Sequence, residues 1–147
     1  MSEMLITICS GVIVFALSQW LMEIWVKPLQ EYKNLKRRIA TVLVYNSQYW
    51  SNALSRTITD ETIKKEYSTA ADDTRRLAAE LKGYIELVPL IHPGIPNRTN
   101  LEEASSYLIG LSNGFYQLPE GSEDKSAHYN NQRIEKIKKL LKLYNHH

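Results

Sequence analysis

The stretch MLITICSGVIVFALSQWLMEIWV at residues 4–26 constrains this chain more than any other. From Met4 to Leu17 it carries no charge, and its apolar character continues past Ser18 and Gln19. The residues from Met4 to Trp25, as a helix, span roughly 33 Å, enough to cross a hydrocarbon core of about 30 Å. A buried core helix is the alternative, but such helices seldom reach this length with so few polar residues. Trp20 and Trp25 cluster at one end, where indoles favour the membrane interface, and Lys27 follows at once. A cleaved signal needs a cationic start and a small-residue cleavage site. MSEM has no cation, and no A-x-A-like triplet follows. We therefore expect residues 1–27 to form a short external N-terminus and a transmembrane helix, with Trp20, Trp25 and Lys27 as interfacial anchors.

Charge orients that span. All 18 Lys and Arg residues lie at Lys27 or later, and residues 1–26 carry only Glu3 and Glu23. Lys27, Lys33, Lys36, Arg37 and Arg38 crowd one flank against a single acid, Glu31. The positive-inside rule then puts the N-terminus outside and residues 28–147 in the cytoplasm. The juxtamembrane cluster Lys33, Lys36, Arg37 and Arg38 is also placed to meet anionic lipid, worth about 1 kcal/mol per well-placed cation. The net charge of +2 is too small to point to nucleic acid. Cys9 is the only cysteine, so no intrachain disulfide is possible.

Beyond the span the pattern is helical. Tyr32, Leu35, Ile39, Val42, Asn46, Tyr49 and Ala53 alternate in steps of four and three, a heptad seam with one polar member. Pro28 precedes it, so the helix is expected to kink or restart there. Ile63, Tyr67, Ala70, Thr74, Leu77, Leu81, Tyr84 and Val88 form a second seam, which Asp60–Glu61 open and Pro89 closes. Two helices of similar length, about 28–56 and 60–88, read as a long antiparallel hairpin. Leu35, Ile39, Val42, Leu77 and Leu81 are its expected core, and Lys36, Arg37 and Lys64 its expected surface.

The loop PLIHPGIPNRT at 89–99 is rigid rather than flexible, and its His92 has no ligand-spaced companion. Asn100 and Glu103 suggest an N-cap and its return partner for a helix at about 100–113. Phe115, Tyr116 and Leu118 should tuck the chain back, and a polar loop, 119–127, follows. A last helix, about 126–144, shows Ile134, Ile137, Leu141 and Tyr144 on one edge. Arg133, Lys136, Lys138, Lys139 and Lys142 load the rest. Such a basic helix can face acidic lipid, a partner or water. The expected fold is all-α: a transmembrane helix followed by a small cytoplasmic helical bundle built on the hairpin.

The first seam, run backward, reaches Ser18, Val14, Gly11 and Thr7. Small residues on one face let membrane helices approach closely, so Thr7, Gly11, Val14 and Ser18 form an expected homo-oligomer seam in phase with Tyr32. No P-loop, nucleophile elbow, H-E-x-x-H or cysteine pair occurs. Asp72–Asp73 and Arg75–Arg76 have ion-pair spacing. No catalytic, cofactor or metal site is expected.

The blocks ADDTRRLAAEL at 71–81, EASSYLIGLSNG at 103–114 and RIEKIKKLLKL at 133–143, with the N-terminal span, resemble small bacterial single-pass inner-membrane proteins of uncharacterised function. The resemblance implies a bacterial inner membrane and a helical cytoplasmic part, and it brings no catalytic residues. The expected function is a membrane-anchored interaction or scaffold protein that self-associates and binds a cytoplasmic partner. The rival is an oligomeric membrane effector, pore-forming or bilayer-disrupting, as in phage defence.

Overall fold

The computed structural model describes residues 2–52, 60–88, 92–115 and 123–143. Helix α1 covers Ser2–Leu21, a π-helical turn follows at Met22–Val26, and α2 covers Lys27–Tyr45. A short α3 spans Ser47–Ser51, then α4 runs Glu61–Leu87, α5 Arg98–Asn113 and α6 Glu123–Leu140. No strand occurs among the described residues.

The first three of these segments make one helix of 43 residues, Glu3–Tyr45, long and apolar enough in its first half to cross a membrane. None of that apolar half is buried by the rest of the chain. Of the two outcomes expected at Pro28, a kink or a restart, the restart does not occur: the helix runs on through the proline. Proline lacks an N–H and its ring crowds the carbonyl one turn back. Here the turn before it is widened, with the Lys27 N–H donating to Met22 O. A π turn takes about one residue more than an α turn, close to 100° of rotation. The small-residue stripe of α1 and the seam of α2 are therefore out of phase, which corrects the single-stripe expectation.

The α2 seam turns inward as its spacing suggested. Tyr32, Leu35, Ile39 and Asn46 are buried, and so is Leu43, one residue off the seam; Val42 is only half-buried. The expected helix 28–56 is interrupted at Asn46, where α2 ends and α3 begins; residues 53–56, with the Ala53 seam position, lie outside the described residues. Lys36 and Lys64, expected at the surface, are half-buried, and Arg37 is exposed.

Helix α4 is two-faced. Asp60 caps its start, accepting from the Thr62 N–H at 2.8 Å. Three polar contacts tie it to α2 in opposite chain order. Tyr84 Oη donates to Pro28 O at 2.9 Å, Arg38 to Glu80 at 2.9 Å, and Asn46 Nδ2 to Ala70 O at 3.5 Å. Its other face, with Ala71, Ala78 and Ile85 buried, meets α5, where Ser105 Oγ donates to Ala78 O at 3.0 Å. Alanines on that face let the two backbones come close, and α5 is its most extensive partner.

Asn97, not Asn100, caps α5, accepting from the Asn100 N–H at 2.8 Å. The earlier cap adds Arg98–Asn100 to the helix. Phe115 is fully buried beyond its end, whereas Tyr116 and Leu118 lie outside the described residues. Helix α6 ends at Leu140, short of the expected Tyr144. Leu143 N–H donates to Lys138 O and Lys142 N–H to Lys139 O, with Lys142 at φ 51°. This is a Schellman closure, whose left-handed position usually falls to glycine.

Leu77 is 3% exposed and Leu87 82%. Leu77→Ala should cost about 2–5 kcal/mol and Leu87→Ala about 0.5 kcal/mol or less, read by denaturant unfolding in detergent. Equal costs would contradict this core.

Candidate functional site

The cations expected at two distant places in the chain converge. Tyr32 Oη donates to Leu141 O at 2.8 Å, so the end of α6 docks on the first turns of α2. Lys36 lies one turn past Tyr32 on the same face, and Lys142 follows Leu141. At the other end of α6, Asn130 Nδ2 donates to Trp50 O at 3.2 Å. Helix α6 therefore runs back toward the apolar helix, and its last cations sit beside the basic cluster at the start of α2. Burial first, and then the nearby Lys142 charge, hold the Lys36 ammonium below the usual lysine range. Burial and the neighbouring Tyr84 push the Tyr32 hydroxyl well above the usual tyrosine range, so it stays a neutral donor to Leu141.

The expected site residues do not all join this edge. Arg38 turns away to Glu80, and Arg37 donates to Asn34 at 2.8 Å. Lys27 pairs with Glu23. On α6, Lys138 pairs with Glu135 at 2.8 Å, while Lys136 and Lys139 are exposed. Arg133 is turned inward, with Nη1 donating to Asn130 Oδ1 at 3.0 Å. Lys142 belongs to the closing turn rather than to the helix. What remains is an edge of Lys33, Lys36, Lys139 and Lys142, for which no carboxylate partner occurs among the described residues. Asp72–Arg75 and Asp73–Arg76 are exposed pairs at 3.3 and 2.9 Å.

On α1, Thr7, Gly11, Val14 and Ser18 are all exposed. Thr7 Oγ1 donates to Glu3 O at 3.0 Å and Ser18 Oγ to Val14 O at 2.8 Å. Both hydroxyls are thereby satisfied inside their own helix. Trp20 and Trp25 are 60% and 47% exposed.

His92 is the residue that spacing alone did not single out. Its Nε2 lies 2.7 Å from Trp25 O, inside the π turn, its Nδ1 lies 2.8 Å from Pro93 O, and its ring lies 5.8 Å from the Trp25 ring. A type II turn presents it: Ile95 N–H donates to His92 O across Pro93–Gly94, with Gly94 at φ +89°. The Pro-Gly pair was legible as a turn, but its docking site, 67 residues away, was not.

Among the described residues no group of three or more His, Cys, Asp or Glu is placed to hold a metal ion. Comparison of the chain with protein-family models, curated proteins and solved structures finds no match.

A cation held below its ordinary pKa costs stability at neutral pH, and a left-handed non-glycine residue adds strain. Lys142→Gly relieves that strain and removes the charge that, second to burial, depresses Lys36, and it should raise stability by about 1 kcal/mol in thermal unfolding, with the electrostatic part fading in high salt. A loss of stability would contradict this account of the closing turn.

Proposed function

We propose that the protein is a membrane-anchored helical interaction module of the bacterial inner membrane, N-terminus outside and helical body in the cytoplasm. Its span self-associates, and its body, an antiparallel hairpin of α2 and α4 clasped by α5 and α6, binds a cytoplasmic protein. The observation that carries this reading is the 43-residue helix Glu3–Tyr45, bare over its apolar half and built into the core from Tyr32 onward. A tether of this kind passes the orientation of the span directly to the body. The Lys33, Lys36, Lys139 and Lys142 edge lies toward the membrane end, where anionic headgroups would attract it.

The hydroxyls of Thr7 and Ser18 turn onto their own backbone, which supports a lipid-facing tether over a polar pore lining. Self-association through this span is confined to α1. Tyr32, Leu35 and Ile39 are consumed by the chain's own core, and the π turn moves them off the α1 stripe.

A side chain at Gly11 meets nothing within 4 Å in a single chain. Gly11→Leu should therefore leave the fold intact and weaken self-association, while Val12→Leu should not. Disulfide crosslinking in membranes reads this directly: Gly11→Cys in a Cys9→Ser background should crosslink more efficiently than native Cys9. A monomer by both measures would overturn the self-association reading. Rapid depolarisation on expression, reported by a membrane-potential dye, would overturn the tether in favour of the effector. A C-terminal reporter active only outside the membrane would overturn the orientation.

A further inference from the structure

Between α5 and α6 lies a partly open cavity of about 140 Å³, lined in part by polar side chains. Gly110 and Gly114, one turn apart on α5, leave the space in which Arg133 lies. A Cβ at Gly110 would stand 3.1 Å from Arg133 Nε, and one at Gly114 would stand 2.1 Å from Asn130 Oδ1. Asn130 is fully buried, and both ends of its amide are engaged. Its Nδ2 donates to Gly114 O at 2.9 Å and to Trp50 O, and its Oδ1 accepts from Arg133. Asn130 therefore fixes Arg133 by one nitrogen, and the other guanidinium N–H groups have no acceptor among the described residues.

The other wall groups are also donors in waiting. Ser126 is 5% exposed, and its Oγ is buried with no hydrogen-bond partner among the described residues. A buried hydroxyl left unsatisfied is costly, so native structures seldom keep one without a purpose. Asn113 Oδ1 accepts from Arg75 at 3.3 Å, which leaves its Nδ2 as a donor. Tyr129, half exposed, stands at the mouth. Among the described residues the wall thus holds one guanidinium, several neutral donors and no carboxylate.

We propose that this cavity is a binding site for a small oxyanion of the phosphate or carboxylate class, held by the Arg133 guanidinium and the Ser126 hydroxyl. Guanidinium donors in a fixed fork suit such an anion, and a charge-assisted hydrogen bond is the strong kind. The site lies at the α5–α6 junction, so an occupant would brace α6 against α5. It is independent of the membrane reading.

The test uses the full chain in detergent, titrated calorimetrically with inorganic phosphate and, separately, acetate, against chloride at equal ionic strength. One saturable site per chain is expected for at least one of them. Arg133→Gln should weaken it about tenfold or more, and Ser126→Ala should weaken it several-fold. Ser126→Ala should fold with an unchanged or higher melting temperature, because it removes an unpartnered hydroxyl; it keeps the test sound if Arg133→Gln fails to fold. Absence of binding beyond chloride would overturn the proposal. So would binding untouched by Ser126→Ala but lost in Lys36→Gln/Lys142→Gln, which would place the anion on the lysine edge instead.

Discussion

The structure depends on one backbone constraint: a helix that passes from a bare apolar half into a packed body must keep its peptide groups bonded through the junction. Unsatisfied peptide groups in such surroundings cost several kcal/mol each. Pro28 sits at that point and cannot donate. The chain meets the constraint with the wider turn at Met22–Val26, where the Lys27 N–H reaches Met22 O and the His92 imidazole covers Trp25 O. Helicity therefore persists into α2, and the first buried residue of the body, Tyr32, follows within two turns.

From there the order of the body follows. The seam of α2 covers one face of α4, the alanine face of α4 admits α5, and Phe115 and Asn130 bring α6 back across the far end. Tyr32 and Tyr84 tie the near end to Leu141 and Pro28. Burial, with Glu31 second, pushes Tyr84 well above the ordinary tyrosine range, so both hydroxyls act as uncharged donors. Several cross-chain links are thus side chain to backbone. Those links hold position without setting a buried charge against a buried charge, which desolvation would penalise.

Local periodicity was legible, and long-range closure was not. The buried positions Tyr32, Leu35, Ile39, Ala70, Thr74, Leu77, Leu81 and Tyr84 follow from four-three spacing because each needs only its own helix to define a face. Leu43, Trp50 and Ile85 escaped the seams because a helix inside a body has more than one covered face. The α5 cap was misplaced because Asn100 and Glu103 mimic a capping box, while Asn97 can cap one turn earlier. Of the candidate site, the cations were legible by type. Their meeting was not, since the Tyr32–Leu141 bond joins residues 109 apart. The inward turn of Arg133 has a sequence trace only in retrospect, in Gly110 and Gly114.

The central claim is that apolar span and helical body share one unbroken helix across Pro28. Leu17 and Thr41 are both exposed and flank that proline. Spin labels at these two positions, in a Cys9→Ser chain reconstituted in lipid nanodiscs, report its continuity by pulsed electron paramagnetic resonance. A continuous helix separates the two backbones by about 36 Å and gives one narrow distance distribution. A broad distribution, or one centred well below that value, would show a hinge at Pro28 and contradict the account.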